Sequence, residues 1–245
     1  MMRLQNKIAV VTGASRGIGR AIALRLAHDG ATVVAHYNSD VDAARATVEE
    51  IERGGGTALA VQANLADLDQ VRRLFGQIDQ AFPQFDILVN NAGGAQFGPL
   101  DAVRAEDFDA LFGLNVRGLF FMTQEAARRL REGGRIVNIS SGITRVNAAN
   151  GSVYSASKAA VEAFTRCWAA ELGPRTITVN TVSPGMTETD LLREVTPPEV
   201  LESMVKQTPL GRLGQPQDIA DVVAFLCSDE ARWLTAQNLL ANGGV

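Results

Sequence analysis

Apolar residues along this chain alternate repeatedly between two spacings. Ile8-Ala9-Val10-Val11 is a continuous apolar run; after Gly13 the spacing turns helical, with Ile18, Ala21, Ile22 and Leu26 on one face. Residues 32–35 form a second run, and Val41, Ala44, Val48 and Ile51 mark a second helix that Gly54-Gly55-Gly56 stops. Leu59-Ala60-Val61 predicts a third strand, and Val71, Leu74, Phe75, Ile78 and Phe82 a third helix. Residues 87–89 and 135–139 predict the fourth and fifth strands, with one long helical stretch from about 104 to 131 between them. Residues 154–172 read as a helix, 177–180 as a sixth strand, 218–226 as a late helix and Leu239-Leu240 as the last strand.

Strands that alternate with helices must pair in parallel, because each parallel neighbour needs a crossover connection. Strands this apolar throughout are buried on both faces, which puts helices on both sides of the sheet. No Pro/Ser-rich linker, repeat or charged tail interrupts residues 1–245. The expectation is one doubly wound α/β domain with a parallel sheet of seven strands.

Composition narrows the functions. Against 27 Asp+Glu stand 23 Lys+Arg, a formal charge of −4, which gives no overall field to draw nucleic acid or an anionic membrane. No apolar run approaches the roughly 18 residues of a membrane helix. Residues 1–7 lack an apolar signal core, so the expected location is the cytoplasm. Cys167 and Cys227 have no C-x-x-C spacing and are expected to be buried thiols. The two histidines, His28 and His36, have no ligand-spaced partner, so no zinc site is expected.

The first candidate for chemistry is the segment Thr12-Gly13-Ala14-Ser15-Arg16-Gly17-Ile18-Gly19, set between the first strand and the first helix. A diphosphate needs close backbone approach and the positive end of a helix, and Cβ atoms there would obstruct it. The second is Tyr154-Ser-Ala-Ser-Lys158, a phenol and an ammonium four apart on one helix face. Alone, such a pair is an ordinary surface contact. Ser141, thirteen residues earlier and just past a strand end, changes its meaning. A hydroxyl there sits at the carboxyl ends of the strands, where doubly wound sheets bind ligands. A free phenol, with a pKa near 10, is a poor base at neutral pH, and a neighbouring lysine cation favours the phenolate. Tyr154 is thus a candidate acid/base for a proton on a hydroxyl or carbonyl oxygen.

Taken in order, TGASRGIG at 12–19, NNAG at 90–93, Asn115, Ser141, YSASK at 154–158, PGMTET at 184–189 and LGRLGQPQDIA at 210–220 resemble the short-chain dehydrogenase/reductase family along essentially the whole chain. The resemblance implies a Rossmann-type fold. It further implies that Tyr154 is the acid/base, that Lys158 lowers its pKa and holds the nicotinamide ribose, and that Ser141 bonds the substrate oxygen. Asn115 would support a water-linked proton relay through Lys158. Gly13, Ser15, Arg16, Gly17, Ile18 and Gly19 would cradle the phosphates, and Asn64 and Leu65 would lie beside the adenine. Asn90, Ala92 and Gly93 would pack by the adenosine half and steady the central strands. Pro184, Gly185, Thr187 and Thr189 would line the nicotinamide. Ala236 stands where relatives often have Gly, which puts the turn before the last strand in question.

The expected cofactor is NADP(H), with NAD(H) possible. No acid precedes Asp40 after the second strand, so nothing there repels a 2′-phosphate by the roughly 4 kcal/mol of a like charge at about 4 Å and a dielectric near 20. Arg16 is a phosphate partner, and His36, Asn38 and Ser39 offer hydrogen bonds. The pattern is most similar to 3-oxoacyl-(acyl-carrier-protein) reductases and related ketoreductases acting on a small carbonyl or alcohol substrate, free or carrier-bound. Arg128, Arg129, Arg131 and Arg175 are the candidate carrier contacts, set against a plain solvated face. Residues 186–209 should cover the substrate, with Leu191, Leu192, Val200, Leu201 and Met204 as apolar candidates. The resemblance, with Phe120-Phe121-Met122, Phe164, Cys167 and Trp168, implies a homotetramer. Two alternatives stand beside this reading: an NAD-dependent secondary-alcohol dehydrogenase, and a catalytically silent dinucleotide-binding protein.

Overall fold

A computed structural model describes residues 2–245. Seven parallel strands form one sheet in the order β3-β2-β1-β4-β5-β6-β7. They are β1 (Ile8–Val11), β2 (Thr32–Tyr37), β3 (Thr57–Gln62), β4 (Phe85–Asn90), β5 (Leu130–Ile139), β6 (Thr178–Pro184) and β7 (Asn238–Ala241). The helices are α1 (Gly17–His28), α2 (Val41–Arg53), α3 (Leu68–Ala81), α4 (Ala105–Phe112), α5 (Leu119–Ala127), α6 (Ser152–Leu172), α7 (Asp190–Val195), α8 (Pro198–Gln207) and α9 (Pro216–Cys227). Among the described residues, no helix is long and apolar enough to cross a membrane.

Alternate strand residues feed two cores. Ala9, Val11, Val33 and Val89 pack with Ile22 and Leu26 of α1 and Val223 and Leu226 of α9. Val10, Val34, Leu88 and Ile136 pack on the other face with Leu74 and Ile78 of α3, Met122 of α5 and Val161 of α6. Each central strand is therefore covered twice, as its continuous apolar run requires.

The helix expected over 104–131 is not one helix. α4 gives way to a π-helical stretch, Gly113–Gly118, then α5, and the chain has entered β5 by Leu130. Leu130 continues the helical spacing from Ala126, so periodicity cannot see this end; pairing of Leu130 with Phe85 of β4 decides it. A Cβ at Gly118 would crowd the Leu65 carbonyl, so this stretch lies hard against the loop after β3. Cys227 is buried, but Cys167 is exposed. α6 turns Val161, Thr165 and Trp168 inward, which leaves position 167 on its outer side.

The turn at Ala236 forms despite the missing glycine. Ala236 takes a left-handed φ of 61° while its N–H donates to the Val179 carbonyl at 2.8 Å. That conformation costs an L residue about 1–2 kcal/mol.

Candidate active site

The glycine loop is braced from three sides. Thr12 Oγ1 accepts from the backbone N–H groups of Asn91 and Ala92, both at 2.9 Å. Asn91 Nδ2 donates to the carbonyls of Thr12 and Gly13 at 2.9 and 3.1 Å. Gly13 and Gly17 have positive φ, and a Cβ on Gly19 would collide with the Gly13 carbonyl. Ile18 packs against the core, and the Ser15 carbonyl accepts from Thr47 Oγ1 at 3.4 Å. α1 starts at Gly17 with no side-chain cap and no acid in its first turn, which leaves its N–H groups and positive end open. Arg16 is exposed and has no ion pair among the described residues.

The third brace corrects an expectation. His36, only 1% exposed, accepts from the Gly13 N–H at Nδ1 (3.1 Å), while Nε2 reaches the Ala63 carbonyl at 2.9 Å. Both ring nitrogens are spent inside the protein, so His36 is not a cofactor contact; it pins the loop from below. Burial lowers its pKa to about 4, against the bond to Ala63, so the ring is neutral. Asn38 and Ser39 are exposed at the strand end. The Asp40 carboxylate accepts from the Ala43 N–H at 2.9 Å, capping α2.

Around this loop the other expected residues divide. Asn64 Oδ1 accepts from the Ala66 N–H at 3.0 Å, and Leu65 is buried. The Asn90 side chain turns inward: buried, it donates to Thr123 Oγ1 (2.9 Å) and Asn138 Oδ1 (2.8 Å), and so steadies the central strands. Ala92 is half-buried and Gly93 exposed. Pro184 ends β6, and a Cβ on Gly185 would meet Asn242 at 2.7 Å. Thr187 Oγ1 donates to the Gly185 carbonyl at 3.1 Å. Thr189 caps α7 and lies over the glycine loop, its Cγ2 3.4 Å from where a Cβ of Gly17 would be.

The reactive groups meet at the carboxyl ends of β4 and β5. Lys158, 5% exposed, donates from Nζ to the Ile139 carbonyl at 2.9 Å and stands 5.9 Å from the centre of the Tyr154 ring. Burial lowers its pKa to about 8. Tyr154 goes the other way: burial raises it above the ordinary phenol value, and a hydrogen bond with Ser141 opposes the rise. Burial and the Ser141 hydrogen bond set the direction of the phenol here, and the Lys158 ammonium is directed at the Ile139 carbonyl. Asn115 lies in the π-helical stretch; it accepts from the Gly94 N–H (2.8 Å) and donates to the Gly94 carbonyl (2.9 Å) and Ser157 Oγ (3.1 Å). A Cβ on Gly93 would touch Asn115 Oδ1 and Lys158 Nζ at 3.1 and 3.3 Å, so the three converge.

Two neighbours went unnoticed in the sequence. Phe97 is 58% exposed, with its ring centre 5.6 Å from that of Tyr154; an aromatic in an otherwise patternless glycine-rich loop was the available signal. Glu162 is a buried acid on the inner face of α6, four residues past Lys158.

The four arginines set aside for a carrier lie elsewhere. Arg129 holds Asp79 and Glu125, Arg131 holds Asp86, Arg128 holds Glu125, and Arg175 holds Glu132 and the carbonyls of Ala127 and Leu130. They cluster at the amino ends of β4 and β5, opposite the reactive groups, so they offer no carrier contact to this site. Leu191 is outside the residues whose side chains are described.

A family model described as enoyl-(acyl carrier protein) reductase matches residues 13–245. An uncharacterized oxidoreductase of Methylorubrum extorquens is 48% identical over the full length of both chains. Versicolorin reductase of Emericella nidulans is 42% identical, covering 99% of this chain and 96% of its own. The structure of the angucycline C-6 ketoreductase LanV with bound NADP superimposes with a TM-score of 0.94 at 42% identity, over 99% of this chain and 96% of that one. The chain is a member of the short-chain dehydrogenase/reductase family of oxidoreductases.

Proposed function

We propose that this protein is an NADP(H)-dependent ketoreductase whose proton donor is Tyr154. The observation that carries the reading is the gathering of Tyr154, Lys158 and Ser141 at the sheet edge shared with the glycine loop. The residues fit a dinucleotide: the start of α1 is uncapped, and Gly17 leaves a gap beside Thr189 that a side chain would fill. Gly13–Gly19 would hold the diphosphate, and Lys158 and Thr187 would flank the nicotinamide ribose. Arg16, Asn38 and Ser39 would take the 2′-phosphate, while the Asp40 carboxylate is turned to cap α2. When bound, NADPH supplies a hydride to the carbonyl carbon.

The chain's own groups do the rest. Ser141 Oγ donates to the carbonyl oxygen and stabilises the negative charge that builds there. Tyr154, held above the ordinary phenol pKa by burial, is protonated at neutral pH and gives its proton to that oxygen. The phenolate left behind is stabilised by the Lys158 cation, from which the proton is restored. Asn115 ties the turn at Gly94 to Ser157 beside Lys158; with its side chain committed, any relay through it uses the main chain.

The ketone is best served by a ring-bearing substrate, since Phe97 offers a flat apolar face beside Tyr154. LanV and versicolorin reductase, by their names, act on an angucycline ketone and on versicolorin, which supports a ketone of that kind over a linear 3-oxoacyl thioester. Residues 186–209 would cover the substrate, and Met186 and Val200 are exposed apolar side chains within that segment. Residues 1–245 act as a single domain in a cytoplasmic homotetramer. Steady-state kcat/KM with NADPH and NADH, on a bicyclic aromatic ketone and on a 3-oxoacyl thioester, tests this. Higher values for NADPH and for the aromatic ketone are expected; a higher value for NADH, or no ketone turnover, overturns the reading.

A further inference from the structure

We propose that Glu162 is a positioning residue that fixes Ser141 against Tyr154. The proposal rests on the function proposed above. Glu162 is 8% exposed, one turn beyond Lys158 on α6. Its Oε1 accepts from Thr144 Oγ1 at 2.6 Å and from Ser140 Oγ at 3.2 Å, and Oε2 pairs with Arg145 at 3.6 Å. These partners bracket Ser141. Ser140 precedes it, and Thr144 and Arg145 belong to the short helical turn Gly142–Arg145 that Ser141 caps through the Ile143 N–H. Thr144 Oγ1 also lies 3.1 Å from the Ser141 carbonyl, and Ser140 Oγ 3.1 Å from that of Lys158. One carboxylate thus ties the turn carrying the hydroxyl to the helix carrying the phenol and the ammonium.

Fold stability does not explain such a residue. β5, β6 and α6 already pack through Ile136, Val179 and Val161, and a carboxylate withdrawn from water is retained only where donors compensate it. Every donor here is a neighbour of Ser141. Without Glu162 the strand end stays tied to α6 through Ser140 and Ile139. The Gly142–Arg145 turn on the far side of Ser141, however, loses the bonds from Thr144 and Arg145 to α6, which lets Ser141 drift from the phenol. A misplacement of about 1 Å at a reacting group costs about 100-fold in rate.

The test is a double-mutant cycle of Glu162→Ala and Ser141→Ala, with kcat, KM and cofactor Kd measured for each protein. Glu162→Ala should lower kcat about 10- to 100-fold with little change in cofactor Kd. In the Ser141→Ala background the same change should have almost no effect, because the group it positions is already gone. Glu162→Gln, which keeps an acceptor for both hydroxyls, should restore most of kcat. Equal losses in both backgrounds, or a folded Glu162→Ala protein with wild-type kcat, would overturn the proposal. Should Glu162→Ala fail to fold, Thr144→Val takes its place in the cycle and is judged by the same outcomes. Wild-type protein inactive on every ketone would sink the proposed function and this inference together, whereas equal losses from an active wild type would sink the inference alone.

Discussion

Mild acid should weaken the fold of this protein through a single imidazole. His36 is buried with its pKa lowered from 6.5 to about 4, so the folded state binds a proton far less readily than the unfolded chain. Between those values the unfolded state carries a proton that the folded state lacks, and stability falls as pH falls. The contribution is fully present above about pH 6.5 and lost by about pH 4; at about 1.4 kcal/mol per pH unit of difference it amounts to about 3 kcal/mol. That is a large share of the 5–15 kcal/mol that typically holds a domain together. Protonation also removes the Nδ1 lone pair that accepts from the Gly13 N–H, so the phosphate loop should loosen first. Asp67, Asp107 and Asp218, held below the carboxylate range by hydrogen bonds from Gln70, Arg104 and Arg212, lose their contributions only lower, below about pH 4. Urea midpoints across this range, wild type against His36→Gln, isolate the effect: the wild type should weaken with acid and the variant should lack this component. The chain has only two histidines, so ring-proton NMR resolves the titration directly. A His36 signal with its midpoint near 6.5, or parallel pH dependence in both proteins, would refute the reasoning.

Tyr154→Phe should cut kcat by about 100-fold or more, as expected for general acid–base catalysis, with cofactor affinity by fluorescence titration little changed. Arg16→Ala should lower kcat/KM for NADPH about 10-fold or more while leaving NADH nearly untouched, as for loss of a charge-assisted hydrogen bond; an equal loss with both cofactors would count against a 2′-phosphate contact. Ala236→Gly should relieve the left-handed strain and raise thermal stability by about 1 kcal/mol, or about 2–4 °C for a chain of this size. A lower melting temperature would show that the methyl group's packing outweighs the strain.

The strands and most helices were legible because their signals are local: β-branched runs, helical spacing, and glycines placed between a strand and a helix. Tyr154, Lys158 and Ser141 were legible for the same reason, since one helix turn and one strand end suffice to bring them together. What failed depends on distant partners. The break at Gly113–Gly118 answers to the Leu65 carbonyl, and the end of α5 to the pairing of Leu130 with Phe85. His36 reads as a polar strand-end residue until Gly13 and Ala63 are seen to occupy both its nitrogens. Arg129 and Arg131 look like a free basic patch until Asp79 and Asp86, far off in sequence, arrive beside them.

The sheet order sets a schedule for assembly. β1 lies between β2 and β4, so the first strand made stays open on one side until residue 90 has left the ribosome. Closing that gap joins residues 77 apart, as between Thr12 and Val89, and such long-range parallel pairing is intrinsically slow. From β4 onward each new strand adds to the free edge in chain order, β5, then β6, then β7. The dinucleotide cradle can therefore form while the reacting residues are still being synthesised. A nascent chain halted between β4 and α6 would expose an unpaired apolar edge beside a finished phosphate loop, and that interval is where chaperone dependence and aggregation should concentrate.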